Sequence, residues 1–226
     1  MLLLIGIIVA LVIIGVKFYK SFDADDGSIF KELKEKRNQR EISAYGKAGE
    51  DYVSKHLNKV IETYGGYLYN GFCFEDSYGY STEIDHILIT RGGVFVIETK
   101  TYKGRIIGGE EDNYWTCIKK DYQEDKPLKN PINQNQGHIN HLKRMFIKTP
   151  PKMESMIVFP VADISNVNSK YVFDMQSALD YIVSKTKQNK YSKEFVEKNR
   201  NYLESIKNNH GISLEKHKDN IEQYHQ

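Results

Sequence analysis

Residues 83–100, EIDHILITRGGVFVIETK, constrain the fold more than any other stretch. They read as two β-rich runs, 84–90 and 94–101, joined by Arg91-Gly92-Gly93. The adjacent glycines can take the positive φ values that a tight hairpin turn needs. Three charged residues interrupt these otherwise apolar strands: Asp85, Glu98 and Lys100. Register decides whether they meet. A two-residue turn at Gly92-Gly93 pairs Arg91 with Val94, sets Asp85 opposite Lys100 and Ile87 opposite Glu98, and gathers the charges on one face. A loop over all of Arg91–Gly93 turns Asp85 to the other face unless a bulge restores it. Gathered, two carboxylates and a lysine suit a hard divalent cation, since Mg²⁺ takes one or two carboxylates and keeps waters for phosphate oxygens. A lysine beside such an ion can orient or deprotonate the attacking water and steady charge on phosphorus. A cross-strand ion pair on a half-exposed sheet is the plainer reading of the same residues.

Asp85 followed by Glu98-Thr99-Lys100 resembles the D…(D/E)-x-K core of the PD-(D/E)XK nuclease superfamily. The wider run, with Glu83-Ile84-Asp85-His86 and residues 94–100, is similar to the NERD (nuclease-related) domain. Gly46-Lys47-Ala48-Gly49-Glu50 upstream and Asn130-Pro131-x-x-Gln134 downstream match that domain too, so the resemblance covers residues 44–159. It implies an α/β fold with a mixed, mostly antiparallel central sheet flanked by helices, a restriction-endonuclease-like core. It also implies a metal-dependent phosphodiesterase acting on nucleic acid, DNA foremost. Asp85 and Glu98, with the Thr99 carbonyl, would ligate Mg²⁺ or Mn²⁺, and Lys100 would act on the water. Glu50 would bind a second metal or an outer-shell water. Gln134 would position substrate, and His138 is a further candidate for that rim.

Residues 1–16, MLLLIGIIVALVIIGV, carry no charged side chain. They fall slightly short of the usual span of about 17 residues or more, and Phe18 and Tyr19 extend them into the interface. A cleaved signal peptide would want a basic n-region and a small-x-small cleavage site, and neither is present. The expectation is one membrane helix over residues 1–20. Lys17, Lys20, Lys31, Lys34, Lys36, Arg37 and Arg40 follow it, which places the rest in the cytoplasm. Residues 21–42 read as a charged juxtamembrane linker, 43–165 as the nuclease-like domain and 166–226 as a helical, basic extension. Net charge is only +2, so nucleic acid would have to be met by a local patch. Cys73 and Cys117 lie in aromatic-rich runs and read as buried thiols.

From about Ser43 a helical stripe runs through Glu50, Val53, Leu57, Ile61 and Tyr64, with Val60 at its edge. Gly46 and Gly49 lie on its side and would permit close approach. Glu50 therefore sits in the apolar face, where an unpaired carboxylate is costly; the plainer reading is a carboxylate looking outward at the helix N-terminus. Residues 67–74 read as a strand, 106–107 and 114–118 as further strands, and 126–131 as a loop. Asn130-Pro131 opens a helix on which Gln134, His138 and His141 share one face; a zinc site there lacks a nearby Cys or carboxylate to complete it. Residues 155–161 read as a buried strand beside that of Glu98. Two amphipathic helices follow over 175–187 and 193–207, and a basic cluster from Lys185 to Arg200 could track a phosphate backbone. Residues 208–226 read as frayed. Two other classes fit the same residues: a nucleic-acid-binding module without turnover, and a membrane-tethered scaffold. The sequence implies no protein partner.

Overall fold

The computed structural model describes residues 35, 37–119 and 126–224. The chain divides into two compact units, Met1–Tyr45 and Gly46–Gln226. Of the first, residues 37–45 are helical and mostly exposed, with Arg37 Nε 2.9 Å from Glu41 Oε1. Residues 1–20, read as an anchor, lie outside the described residues. Among those described, no helix is long and apolar enough to cross a membrane.

The second unit opens with helix α1 (46–64). There follow β1 (Tyr67–Glu75), β2 (Ser81–Thr90), β3 (Gly93–Thr99), β4 (Arg105–Ile107), β5 (Tyr114–Ile118) and β6 (Lys126–Lys129). Helix α2 (Pro131–Arg144) leads to β7 (Met153–Phe159), β8 (Asp163–Asn166) and β9 (Val172–Asp174), then α3 (Met175–Lys187), α4 (Lys193–His210) and α5 (Leu214–Tyr224). One sheet has the order β1-β2-β3-β7-β9, the other β6-β5-β4-β8. Among the described residues, four pairings are antiparallel and three parallel. The strand read beside Glu98 is β7, parallel to β3.

Residues Val94 to Ile97 are all buried, because helices cover both faces of β3. On one face, Val94 and Val96 pack with Ile139 and Leu142 of α2 and Val196, Leu203 and Ile206 of α4. On the other, Phe95 and Ile97 meet Val53, Leu57 and Val60 of α1 and Ala178 and Ile182 of α3. A third cluster joins Trp115, Cys117 and Leu128 to Ile132 and Phe159. The stretch expected as an extension, 166–226, thus supplies one edge strand and two of the covering helices. Cys73 and Cys117 are buried thiols, and Cys117 Sγ donates to the Lys103 carbonyl at 3.6 Å.

Three details differ from expectation. The hairpin turns at Arg91-Gly92 and not at Gly92-Gly93: Thr90 pairs with Gly93 and His86 with Ile97. Thr90 Oγ1 accepts the Gly92 N–H at 2.9 Å, and a Cβ on Gly92 would strike the Lys185–Thr186 backbone. Packing of the hairpin tip on α3 therefore chose between two adjacent glycines. Residues 126–129 form an edge strand, where Pro127 is tolerated. The tail read as frayed contains α5, considered below.

Candidate active site

The observed register is displaced by one residue on each strand from the expected one. Continued past His86–Ile97, it sets Asp85 opposite Glu98 rather than opposite Lys100. The parity is unchanged, so the charges still converge. Asp85 Oδ2 accepts the Thr99 N–H at 2.7 Å. Lys100 Nζ lies 2.8 Å from Glu98 Oε1 and donates to Gln134 Oε1 at 2.9 Å. Gln134 Nε2 donates to Glu98 Oε1 at 2.8 Å. A carboxylate, an ammonium and an amide thus form a closed ring, with α2 delivering the amide. Asn130 starts that helix, accepting the Ile132 N–H at 2.9 Å while its Nδ2 donates to the carbonyls of Glu110 and Asp112.

Glu98 is 3% exposed, yet its Oε2 has no hydrogen bond. His138 Nδ1 stands 3.4 Å away, in ion-pair range but without hydrogen-bond alignment. Burial opposes charge on Glu98, but the adjacent His138 and Lys100 outweigh it and hold the carboxyl below its ordinary range. Asp85 goes the other way: burial first, then the charges of Glu98 and Glu50, push its carboxyl well up, against the Thr99 N–H and Lys100. Burial works against the Lys100 ammonium, but Glu98 and Asp85 keep it protonated to higher pH than usual. Two neighbouring carboxyls pushed apart in this way mark a site where negative charge exceeds what the side chains can neutralise.

Glu50 approaches from α1. Gly49 is buried against Thr101, whose Oγ1 occupies the space a Cβ would need, so α1 presses onto the chain just beyond Lys100. Gly46 meets nothing comparable, so only one of the two glycines serves close approach. The Glu50 side chain is 30% exposed with Lys47 Nζ at 3.7 Å. Burial raises its pKa; Lys47 opposes the rise, and Asp51 and Glu98 add to it.

Glu83, two residues before Asp85, joins the group without having been singled out. It is half-buried, and its pKa is raised by burial and then by Glu50, with Glu98 adding. Its spacing from Asp85 was the available signal. His141 separates from Gln134 and His138: its Nε2 meets Asp76 Oδ2 at 3.0 Å and its Nδ1 is bonded to Thr82 Oγ1. Two members of the basic cluster are engaged elsewhere. Arg200 lies over the Tyr67 ring and beside Glu197, and Lys185 lies 3.8 Å from Glu154.

Among the described residues, no three His, Cys, Asp or Glu side chains form a ready metal cluster. A hard cation here would rest on two carboxylates, a backbone carbonyl and water, which is how Mg²⁺ is commonly held.

Residues 45–160, just over half of the chain, match the family described as the nuclease-related domain. The chain is also similar to an uncharacterized protein of Bacillus anthracis, with 32% identity over 142 residues. The alignment takes in 60% of this chain and 66% of that curated relative, a little under two thirds of the latter's length. No solved structure matches the chain.

Proposed function

From the premise that the chain belongs to the nuclease-related domain family, we propose that it is a metal-dependent phosphodiesterase of nucleic acid, DNA foremost. We further propose that residues 1–20 tether it to the membrane with its domain in the cytoplasm. The observation that carries the catalytic reading is Glu98: a buried carboxylate, clasped on Oε1 by Lys100 and Gln134, whose Oε2 makes no hydrogen bond, with His138 Nδ1 3.4 Å away. An unpartnered carboxylate oxygen at 3% exposure is costly unless something cationic completes it.

Asp85, Glu98 and the Thr99 carbonyl are hard oxygen donors and fit Mg²⁺ or Mn²⁺. When bound, such an ion would lower the pKa of an attacking water and offset phosphate charge. Lys100, held as an ammonium, donates to a water or phosphate oxygen and stabilises charge that grows on phosphorus. Gln134 fixes the Lys100–Glu98 pair, and its second amide hydrogen is the one we assign to positioning substrate. His138 borders Glu98 Oε2 and excludes bulk water from it. Glu50 serves a second cation or an outer-shell water. Positioning and charge neutralisation are what phosphoryl transfer needs from such a set.

The test is a cleavage assay of the full-length chain in detergent, on labelled single- and double-stranded DNA and RNA, with Mg²⁺, Mn²⁺ or EDTA. Metal-dependent cleavage of DNA supports the proposal. No cleavage under any metal, with weaker nucleic-acid binding in Lys100→Ala, would instead establish a binding module. A reporter fused after Gln226 should report cytoplasm, and release of the chain by an alkaline wash would refute the tether.

A further inference from the structure

Helix α5 is attached to the rest of the unit in an unusual way. Of its described side chains only His217 is buried, while Leu214 and Ile221 remain 42% and 43% exposed. Helices normally dock by burying an apolar stripe, and that is how α1, α3 and α4 are held. Three polar contacts hold α5 instead. His217 Nδ1 is 2.8 Å from Ser81 Oγ, Lys216 Nζ is 3.0 Å from Glu75 Oε2, and Asn220 Nδ2 donates to the same oxygen at 2.8 Å. Upstream, the connection from α4 is tied to β1 by the Phe74–Gly211 bridge and by Ile212 N–H to Cys73 O at 3.3 Å. A fixed pivot therefore precedes a weakly packed helix.

The docking place is the start of β2, the strand that carries Glu83 and Asp85. We propose that α5 is a detachable wall of the candidate site, latched to β2 where the neutral His217 ring is buried against Ser81, and released when that buried ring takes a proton and must carry a charge. Calling it a wall of the site rests on the function proposed above; the latch does not.

The charged and titratable groups around His217 all bear on the direction. Its own helix presents Lys216 and Lys218 and α2 presents His138, while Glu75 of β1 meets Lys216 and Glu83 of β2 acts on Lys218. Burial, then His138 and Lys218, lower the imidazole pKa in the docked helix. Free of the sheet, His217 would return to about 6.5. A proton thus binds the undocked form better, and undocking grows as pH falls below that value. Glu75, held below its ordinary range by Asn220 and Lys216, keeps its contacts through the same window.

The test reads helix docking, not cleavage: amide exchange of the full-length protein in detergent at pH 7.5 and 5.5, corrected for intrinsic rates. Protection of residues 214–224 should fall by up to about tenfold at the lower pH, with α4 unchanged. His217→Gln has no proton to take, so its α5 should be pH-independent, whether docked at both values or loose at both. Equal protection of wild-type α5 at both values, a step that survives in His217→Gln, or a step shared by α4 overturns the proposal. Failure of the latch would leave the nuclease reading untouched, and inactivity on nucleic acid would leave the latch untouched.

Discussion

Helix α2 carries two buried polar clusters three residues apart, and they are built on opposite principles. His141 belongs to a closed one. Its ring nitrogens reach Asp76 and Thr82, and Asp76 Oδ1 also accepts the N–H groups of Tyr78 and Tyr80 at 2.9 and 3.1 Å. His138 belongs to an open one, where its own Nδ1 and Glu98 Oε2 lack hydrogen bonds and like-charged carboxyls crowd together. A satisfied network costs little to bury and clamps the helix to the β1–β2 turn. An unsatisfied one is costly in isolation and is kept where a ligand completes it. Burial alone does not separate the two, since His141 and Glu98 are both under a tenth exposed. Partner counting does.

The contrast can be broken by mutation. The largest effect is expected at Lys100→Ala, which should lower turnover by about 10²–10³-fold, the loss expected for one electrostatic stabiliser. Single-turnover cleavage measures this at a temperature where the variant is folded, since melting should fall as well once the buried Glu98 carboxylate loses its cation. Preserved turnover would remove Lys100 from the chemistry.

In the closed cluster, Asp76→Ala should cost about 2 kcal/mol in urea unfolding, since it strands His141 Nε2 in a buried place. A neutral result would mean the clamp contributes nothing. Asp85→Asn, in the open cluster, should leave metal-free stability unchanged or raise it by up to about 1 kcal/mol. The amide can still accept from Thr99, and one of several like charges is gone. Mg²⁺ is expected to raise the melting temperature of the wild type, and the same substitution should abolish that rise. A loss above about 2 kcal/mol would instead make Asp85 a structural clamp like Asp76.

The smallest effect concerns pH. Because the folded-state pKa of Asp85 is raised, the folded protein holds a proton that the unfolded chain releases near pH 4. Its contribution is present at low pH and lost as pH rises through the folded value. A divalent cation held by Asp85 would substitute for that proton, so a Mg²⁺-induced melting shift should grow across the window. Each kcal/mol corresponds to about 2–4 °C in a domain of this size. A shift that is flat with pH would show that the cation does not meet Asp85.

Much of the site was legible because its signals are local. An E-x-K at the end of an apolar strand, an Asp in hairpin reach and a helical stripe interrupted by Glu50 all follow from periodicities of 2 and 3.6. So did α3 and α4, whose apolar faces are written in their spacing. Glu83 had only its spacing of two from Asp85 to mark it, because its company of Glu50 and Glu98 comes from α1 and β3. The role of His141 was equally hidden, since Asp76 lies 65 positions away.

By itself the sequence determined which side chains could form the centre, and that Asp85 and Glu98 share a face in any register an even shift from the tight turn. Only the tertiary structure decided which glycine turns the hairpin, because that depends on Gly92 meeting the backbone of α3 nearly a hundred residues later. Tertiary structure likewise made a helix of the polar tail. An eleven-residue segment is too short to hold helical structure alone in water, and α5 exists through contacts with Ser81 and Glu75 that no local pattern encodes.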